Sequence, residues 1–170
     1  MVLVFTCYNT YYDDVSSSLR DDIRQRRPFR SLEEEAALNL FRTAQLLGDA
    51  NEAFYRAHGL TPTQYNVLRI LRGAGAEGLG RNEIRERLLT RMPDVTRLLD
   101  RMEDQGLVVR ARSTTDRRCV PTSLTEKGRA LVDRLDEPVA ALQHAQFGHL
   151  TPGQLHTLIE IMTSIRAELA

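Results

Sequence analysis

PDVTRLLDRMEDQGLVVRARSTTDRRCVPTSLTEKG, Pro93 to Gly128, holds a helix, a two-stranded hairpin and the start of a second helix. Val95, Leu98, Leu99 and Met102 fall at i, i+3, i+4 and i+7, so one face of the first segment is apolar and buried. The opposite face carries Asp94, Arg97, Arg101 and Asp104. Pro93 suits a first helical turn and Gly106 a helix end. LVVRAR then reads as a strand and CVPTSL as its partner, with the polar run STTDRR between them. Pro121 places the second strand at an edge or in a bulge. Thr125 is the cap of the next helix, which Pro138 is expected to kink.

Upstream, the same grammar repeats. Ser31 followed by Glu34 is a capping box that opens a long helix ending at Gly59. Thr61, Pro62 and Gln64 form a second box, and Tyr65, Val67, Leu68 and Leu71 supply the apolar face of the helix it starts. GAGAEGLG is a turn-rich break in which Leu79 makes a one-residue strand contact. RNEIRERLL is a short helix. Downstream, TPGQ, Thr151 to Gln154, repeats the cap, and the last helix lines up Leu155, Leu158, Ile159, Met162, Ile165 and Leu169 on one stripe. The expected fold is mainly α with a small β-hairpin (α+β): a winged helix-turn-helix with long N- and C-terminal dimerisation helices. Its parts are an N-terminal extension and start of the dimerisation region over 1–30, a dimerisation helix over 31–59, the winged helix-turn-helix over 60–124 and C-terminal dimerisation helices over 125–170.

Composition limits the function. The 170 residues carry 23 basic and 23 acidic side chains, so the chain as a whole is not a basic polymer. Arg81 to Arg118 nevertheless holds ten Arg against seven acids, a surplus balanced elsewhere. Lys127 is the single lysine. Arginine offers a planar fork for phosphates and base edges, although a GC-rich genome produces the same bias. Cys7 and Cys119 make neither a metal spacing nor a disulfide framework, which points to a reduced, cytoplasmic protein. His58, His144, His149 and His156 lack paired metal spacing, and no metal or cofactor is expected. No run reaches the roughly 18 apolar residues of a membrane span. The start, MVLVFTCYNTYY, is no signal peptide; a strand, a disordered tail and translation begun upstream of the natural start all fit it. Enzyme readings fail because no phosphate-binding loop, nucleophile elbow or zinc protease motif is present.

A helix fits the major groove and reads base edges with its N-terminal residues. Pro93, Asp94, Thr96, Arg97 and Arg101 are therefore candidate DNA contacts. Asp94 either accepts from a cytosine amine or favours the helix dipole. Arginines at a hairpin tip suit a narrow, negative minor groove. Asp116 beside Arg117 and Arg118 repels DNA by itself but can hold a neighbouring guanidinium in one rotamer. The apolar stripe of the last helix, and a similar one on the first, exceed what one small domain buries, and a symmetric partner would cover them.

PDVTRLLDRMEDQGLVVR together with TDRRCVPTSLTEKG resembles the MarR family of bacterial transcriptional regulators. The family's wing pattern is Asp-x-Arg followed by a strand ending Leu-Thr-x-x-Gly; here it is Asp116, Arg118, Leu124, Thr125 and Gly128. The resemblance covers roughly Leu32 to Leu169. It implies a homodimer, probing double-stranded DNA with the 93–105 helix and the 113–119 wing, at half-sites about 10 bp apart. Arg118 holds the motif position, and Arg117 the variable one. The N-terminal extension has no counterpart in the pattern, and Pro93 and Asp94 depart from the commoner Ser or Thr pair.

The resemblance also implies regulation, most commonly of a repressor. Many relatives release DNA when a small aromatic or phenolic acid binds, and Phe41, Tyr55, Tyr65 and Arg69 are candidates for such an effector pocket. Others sense peroxide through a cysteine, which makes Cys7 and Cys119 candidate redox residues. An architectural or protein-interaction module without an effector is the third reading.

Overall fold

The computed structural model describes residues 19–90, 94–110 and 121–169. Its helices are α1 (Leu19–Asp22), α2 (Leu32–Ala57), α3 (Pro62–Ala74), α4 (Arg81–Arg87) and α5 (Val95–Asp104), then α6 (Glu126–Arg134), α7 (Asp136–Phe147) and α8 (Pro152–Ala167). Between α5 and α6, β1 (Val108–Arg110) pairs antiparallel with β2 (Thr122–Leu124), Val108 opposite Leu124 and Arg110 opposite Thr122. The chain divides into two compact units, one ending at Ala50 and the other beginning at Asn51.

Caps explain most helix starts. The Thr61 hydroxyl accepts from Gln64 N at 3.2 Å while Gln64 Oε1 accepts from Thr61 N at 2.9 Å. Thr151 and Gln154 repeat the exchange at the head of α8. At α2 the box is stretched: Ser31 Oγ accepts from Glu34 N, but the Glu34 carboxylate reaches back one residue further, to Arg30 N at 2.6 Å. Each such cap satisfies amide donors that a helix start otherwise leaves orphaned.

The second unit is organised around one apolar cluster. Val67, Leu68 and Leu71 of α3, Ile84 of α4, Leu98, Leu99 and Met102 of α5, Val108 of β1 and Val132 of α6 are all essentially solvent-free. Leu79 forms the expected one-residue bridge, pairing with Thr122 through reciprocal bonds of 2.9 Å. Gly78, at φ +68°, lies so close to that strand that a Cβ on it would fall 2.4 Å from the Thr122 carbonyl oxygen. Both the dihedral and the approach require glycine there.

The Leu-Thr-x-x-Gly stretch at the foot of the hairpin is a joint. Thr125 Oγ1 donates to Gly106 O at 2.7 Å and accepts from Gly128 N at 3.0 Å, and Thr125 N donates to Leu107 O at 3.2 Å. One residue thus caps α6 and ties it to the segment leaving α5. Lys127 Nζ adds a bond to Gln105 O at 2.7 Å, a cation at the carbonyl end of α5, as the helix dipole favours.

Downstream the helix breaks earlier than Pro138. α6 ends at Arg134 and α7 starts at Asp136. A proline cannot donate to the carbonyl four residues back and its ring collides with it; four back from Pro138 is Arg134, the last residue of α6. Arg72 of α3 spans the break, reaching Asp133 at 2.9 Å and both Asp136 oxygens at 2.8 Å. The Arg72 guanidinium holds the Asp136 carboxyl below the usual carboxylate range. Among the described residues no helix is long and apolar enough to cross a membrane.

Candidate nucleic-acid interface

α4 and α5 form the helix-turn-helix, and the hairpin follows directly from α5. The helix α5 begins one residue after Asp94, which is its N-cap: the Asp94 carboxylate accepts from Arg97 N at 3.0 Å. This N-cap bond is a role that neither sequence reading of Asp94, base contact or helix-dipole charge, names. The same carboxylate meets Arg97 Nε at 3.0 Å, and the Arg97 side chain is 84% exposed. Asp94 therefore orients the base of Arg97 while leaving its fork in solvent. Arg101 turns back along the helix, its Nε donating to Arg97 O at 3.2 Å. Thr96 Oγ1 accepts from Arg81 Nη1 of α4 at 3.3 Å. Thr96, Arg97 and Arg101 thus share an exposed polar face, while Val95, Leu98, Leu99 and Met102 sit in the core. Pro93, Asp116, Arg117, Arg118 and Cys119 lie outside the described residues, as does Cys7.

The root of the hairpin carries a cluster that periodicity did not single out. Arg110 on β1 pairs with Asp100 and, at 2.9 Å, with Glu103, and its backbone N donates to Glu103 Oε1 at 3.1 Å. Its side chain is three-quarters buried, and Asp100 above all holds the guanidinium charged. Asp100 and Glu103 sit one turn apart on α5, so both carboxylates face the strand. They anchor the hairpin to the helix. A basic residue in a strand and an i, i+3 acidic pair are each ordinary in sequence; only the hairpin's return brings them together.

Other predicted positions separate into two groups. Tyr55 and Tyr65 stack with ring centroids 4.6 Å apart, and burial raises the Tyr55 hydroxyl to about 12. Arg69, exposed on α3, is close enough to lower both tyrosines' values against that burial. Phe41 belongs to the first unit and is 68% exposed. On α8, Leu155, Leu158 and Met162 are half-buried and Ile159 and Ile165 are exposed, as is Leu169 just past the end of the helix. Leu155, Leu158, Ile159 and Met162 line a groove of about 330 Å³ with Phe147 and Arg166. Among the described residues no cluster of three or more metal-ligating side chains occurs.

Comparison with known proteins agrees with this geometry. Residues 58–118 match the sequence model described as MarR family. The chain is 34% identical over 142 residues to the HTH-type transcriptional regulator YkoM of Bacillus subtilis, covering 81% of this chain and 90% of that protein. A MarR transcription factor from Planctomyces limnophilus superposes with a TM-score of 0.63 at 40% identity, over 84% of this chain and all of that one. The transcriptional repressor CouR, solved on a 23-mer DNA duplex, gives a TM-score of 0.68 at 29% identity, over 83% of this chain and 98% of that one. CouR from Rhodococcus jostii is also solved with p-coumaroyl-CoA, at 25% identity and a TM-score of 0.64, over 81% and 95% of the two chains.

Proposed function

Because the chain belongs to the MarR family of transcriptional regulators, a family of DNA-binding proteins rather than enzymes, we propose that it is a homodimeric repressor of a pseudo-palindromic operator. The observation that carries the proposal is α5: one face buried through Val95, Leu98, Leu99 and Met102, the other presenting Arg97, Arg101 and Thr96 to solvent. In this reading α5 enters the major groove, where the Arg97 fork matches guanine O6 and N7. The 113–119 wing lies in the adjacent minor groove, and Asp116 steadies Arg118, with Arg117 beside it.

Dimerisation is supported by the exposed Ile159, Ile165 and Leu169 on the α8 stripe, since contiguous apolar surface of that kind favours a symmetric partner. Release is assigned to a small aromatic or phenolic acid. Tyr55 and Tyr65 stack within the core, and the exposed Arg69 close to them offers a counter-charge for a carboxylate. The same chemistry supports the comparison with CouR, whose bound p-coumaroyl group is a phenol.

Fluorescence anisotropy on the DNA upstream of the protein's own reading frame tests the proposal. Two chains are expected per duplex, with Arg118→Ala weakening binding about tenfold and hydroxybenzoates releasing the wild-type protein. Binding no tighter than to unrelated DNA at matched salt would defeat it.

A further inference from the structure

The helix-turn-helix carries a second pair of arginines, on α4 rather than α5. RNEIRER, residues 81–87, buries Ile84 and exposes every other side chain. Arg81 and Arg85 stand four residues apart, so they emerge one above the other on the same face. The helix beneath them is held at both ends. Glu83 Oε2 accepts from Gly80 N at 2.8 Å, and just past the last turn Leu89 N donates to Asn66 Oδ1 of α3 at 3.0 Å. The Arg81 guanidinium is placed further by its own bond, Nη1 donating to Thr96 Oγ1 at 3.3 Å. Thr96 belongs to the exposed polar face of α5 that also presents Arg97 and Arg101.

Both positions run against the local preferences of a helix. Arg81 is the first residue of α4, at the end where the helix dipole favours an acid. Arg81 and Arg85 are like charges at i and i+4, a repulsive pair. No acid within the chain offsets this. Among the described residues the ion pairs engage Arg30, Arg56, Arg72, Arg97 and Arg110, and neither of these two. Glu83, the acid of the first turn, is committed to the Gly80 amide. Two cations left unpaired where the helix disfavours them suit an anion from outside the chain.

We propose that Arg81 and Arg85 bind DNA phosphates at the rim of the major groove that α5 enters, a sequence-independent contact separate from base reading by Arg97. The inference rests on the DNA-binding function above. A helix with its side chains is about 10–12 Å across and the groove about 12 Å wide, so α5 fills the groove and the helix beside it meets the rim. A guanidinium bonded to Thr96, in the first turn of α5, is carried to that rim with it. Phosphates line the rim, and a guanidinium fork matches them without an enclosing pocket. Such contacts fix register and carry no sequence information. Every phosphate neutralised releases condensed counterion, steepening the dependence of log K on log[salt] by about 0.9.

The test compares the full-length wild type with R81Q/R85Q, R81K/R85K and the single variant R85Q over a salt series. Each is titrated on the upstream duplex and on an unrelated duplex of equal length, with sedimentation and circular dichroism to match fold and assembly. R81Q/R85Q should bind both duplexes more weakly, with an unchanged preference between them. Its slope should be shallower by about 2 to 4, the loss of one or two phosphates in each protomer of a dimer. R81K/R85K should keep the wild-type slope. R85Q breaks no hydrogen bond or ion pair of the described residues, so its own shallower slope reports a lost DNA contact even where R81Q disturbs Thr96. Unchanged slopes in both Gln variants overturn the inference, as does weakening confined to the upstream duplex, which would make these arginines base readers. A wild type that binds neither duplex defeats the functional reading, and the inference with it.

Discussion

Gly128→Ala should destabilise the protein by about 3 kcal/mol or more, although alanine in a helix ordinarily gains about 1 kcal/mol over glycine. A Cβ on Gly128 would lie 2.0 Å from the Leu107 carbonyl oxygen and 3.0 Å from its carbon. Those are backbone atoms, and the Leu107 carbonyl is already held by Thr125. Relief therefore requires α6 to move away from the segment joining α5 to β1, which opens the cluster around Val132 and Val108. Gly73→Ala is the internal control: it too is helical, with nothing within 4 Å of its would-be Cβ, and it should raise stability by a few tenths to 1 kcal/mol. Denaturant midpoints of the two variants should move in opposite directions. A neutral Gly128→Ala would contradict the joint described at Thr125.

Arg97→Ala should cost operator binding about 1 to 3 kcal/mol, roughly fivefold to 150-fold, with little effect on stability. The Arg97–Asp94 pair is largely solvent-exposed, and pairs of that kind contribute little to folding. Asp94 keeps its bond to the residue 97 backbone amide in the variant, so the cap survives. Loss confined to the operator identifies a base contact, whereas equal weakening on all sequences identifies a phosphate contact.

Much of this architecture is legible in local sequence because caps and periodicity are local. Thr61–Gln64 and Thr151–Gln154 open α3 and α8 as read, and Val95, Leu98, Leu99 and Met102 face the core as their spacing requires. Even the lone contact of Leu79 was visible, because a single apolar residue in a glycine-rich break has few other uses. The MarR resemblance rested on Asp116, Arg118 and the Leu-Thr-x-x-Gly run, and the comparisons bear out the family.

What escaped was long-range. The Arg110 cluster joins residues on a strand and a helix that only the tertiary fold apposes. The demand for glycine at 128 comes from Leu107, twenty-one residues away. The kink expected from Pro138 takes the form of a break between Arg134 and Asp136, because a proline acts on the carbonyl four residues back. The short helix α1 carries too few residues for periodicity to register, and its cap uses an arginine where a glycine would have signalled the turn.

The most direct test of the central claim is hydroxyl-radical footprinting of the purified protein on the DNA upstream of its own reading frame. The account predicts two protected half-sites related by a pseudo-two-fold axis, about 10 bp apart, which disappear together in Arg97→Ala at the concentration that saturates the wild type. Uniform protection along the fragment, or a footprint unchanged by Arg97→Ala, would contradict the assignment of α5 as the element that reads the operator.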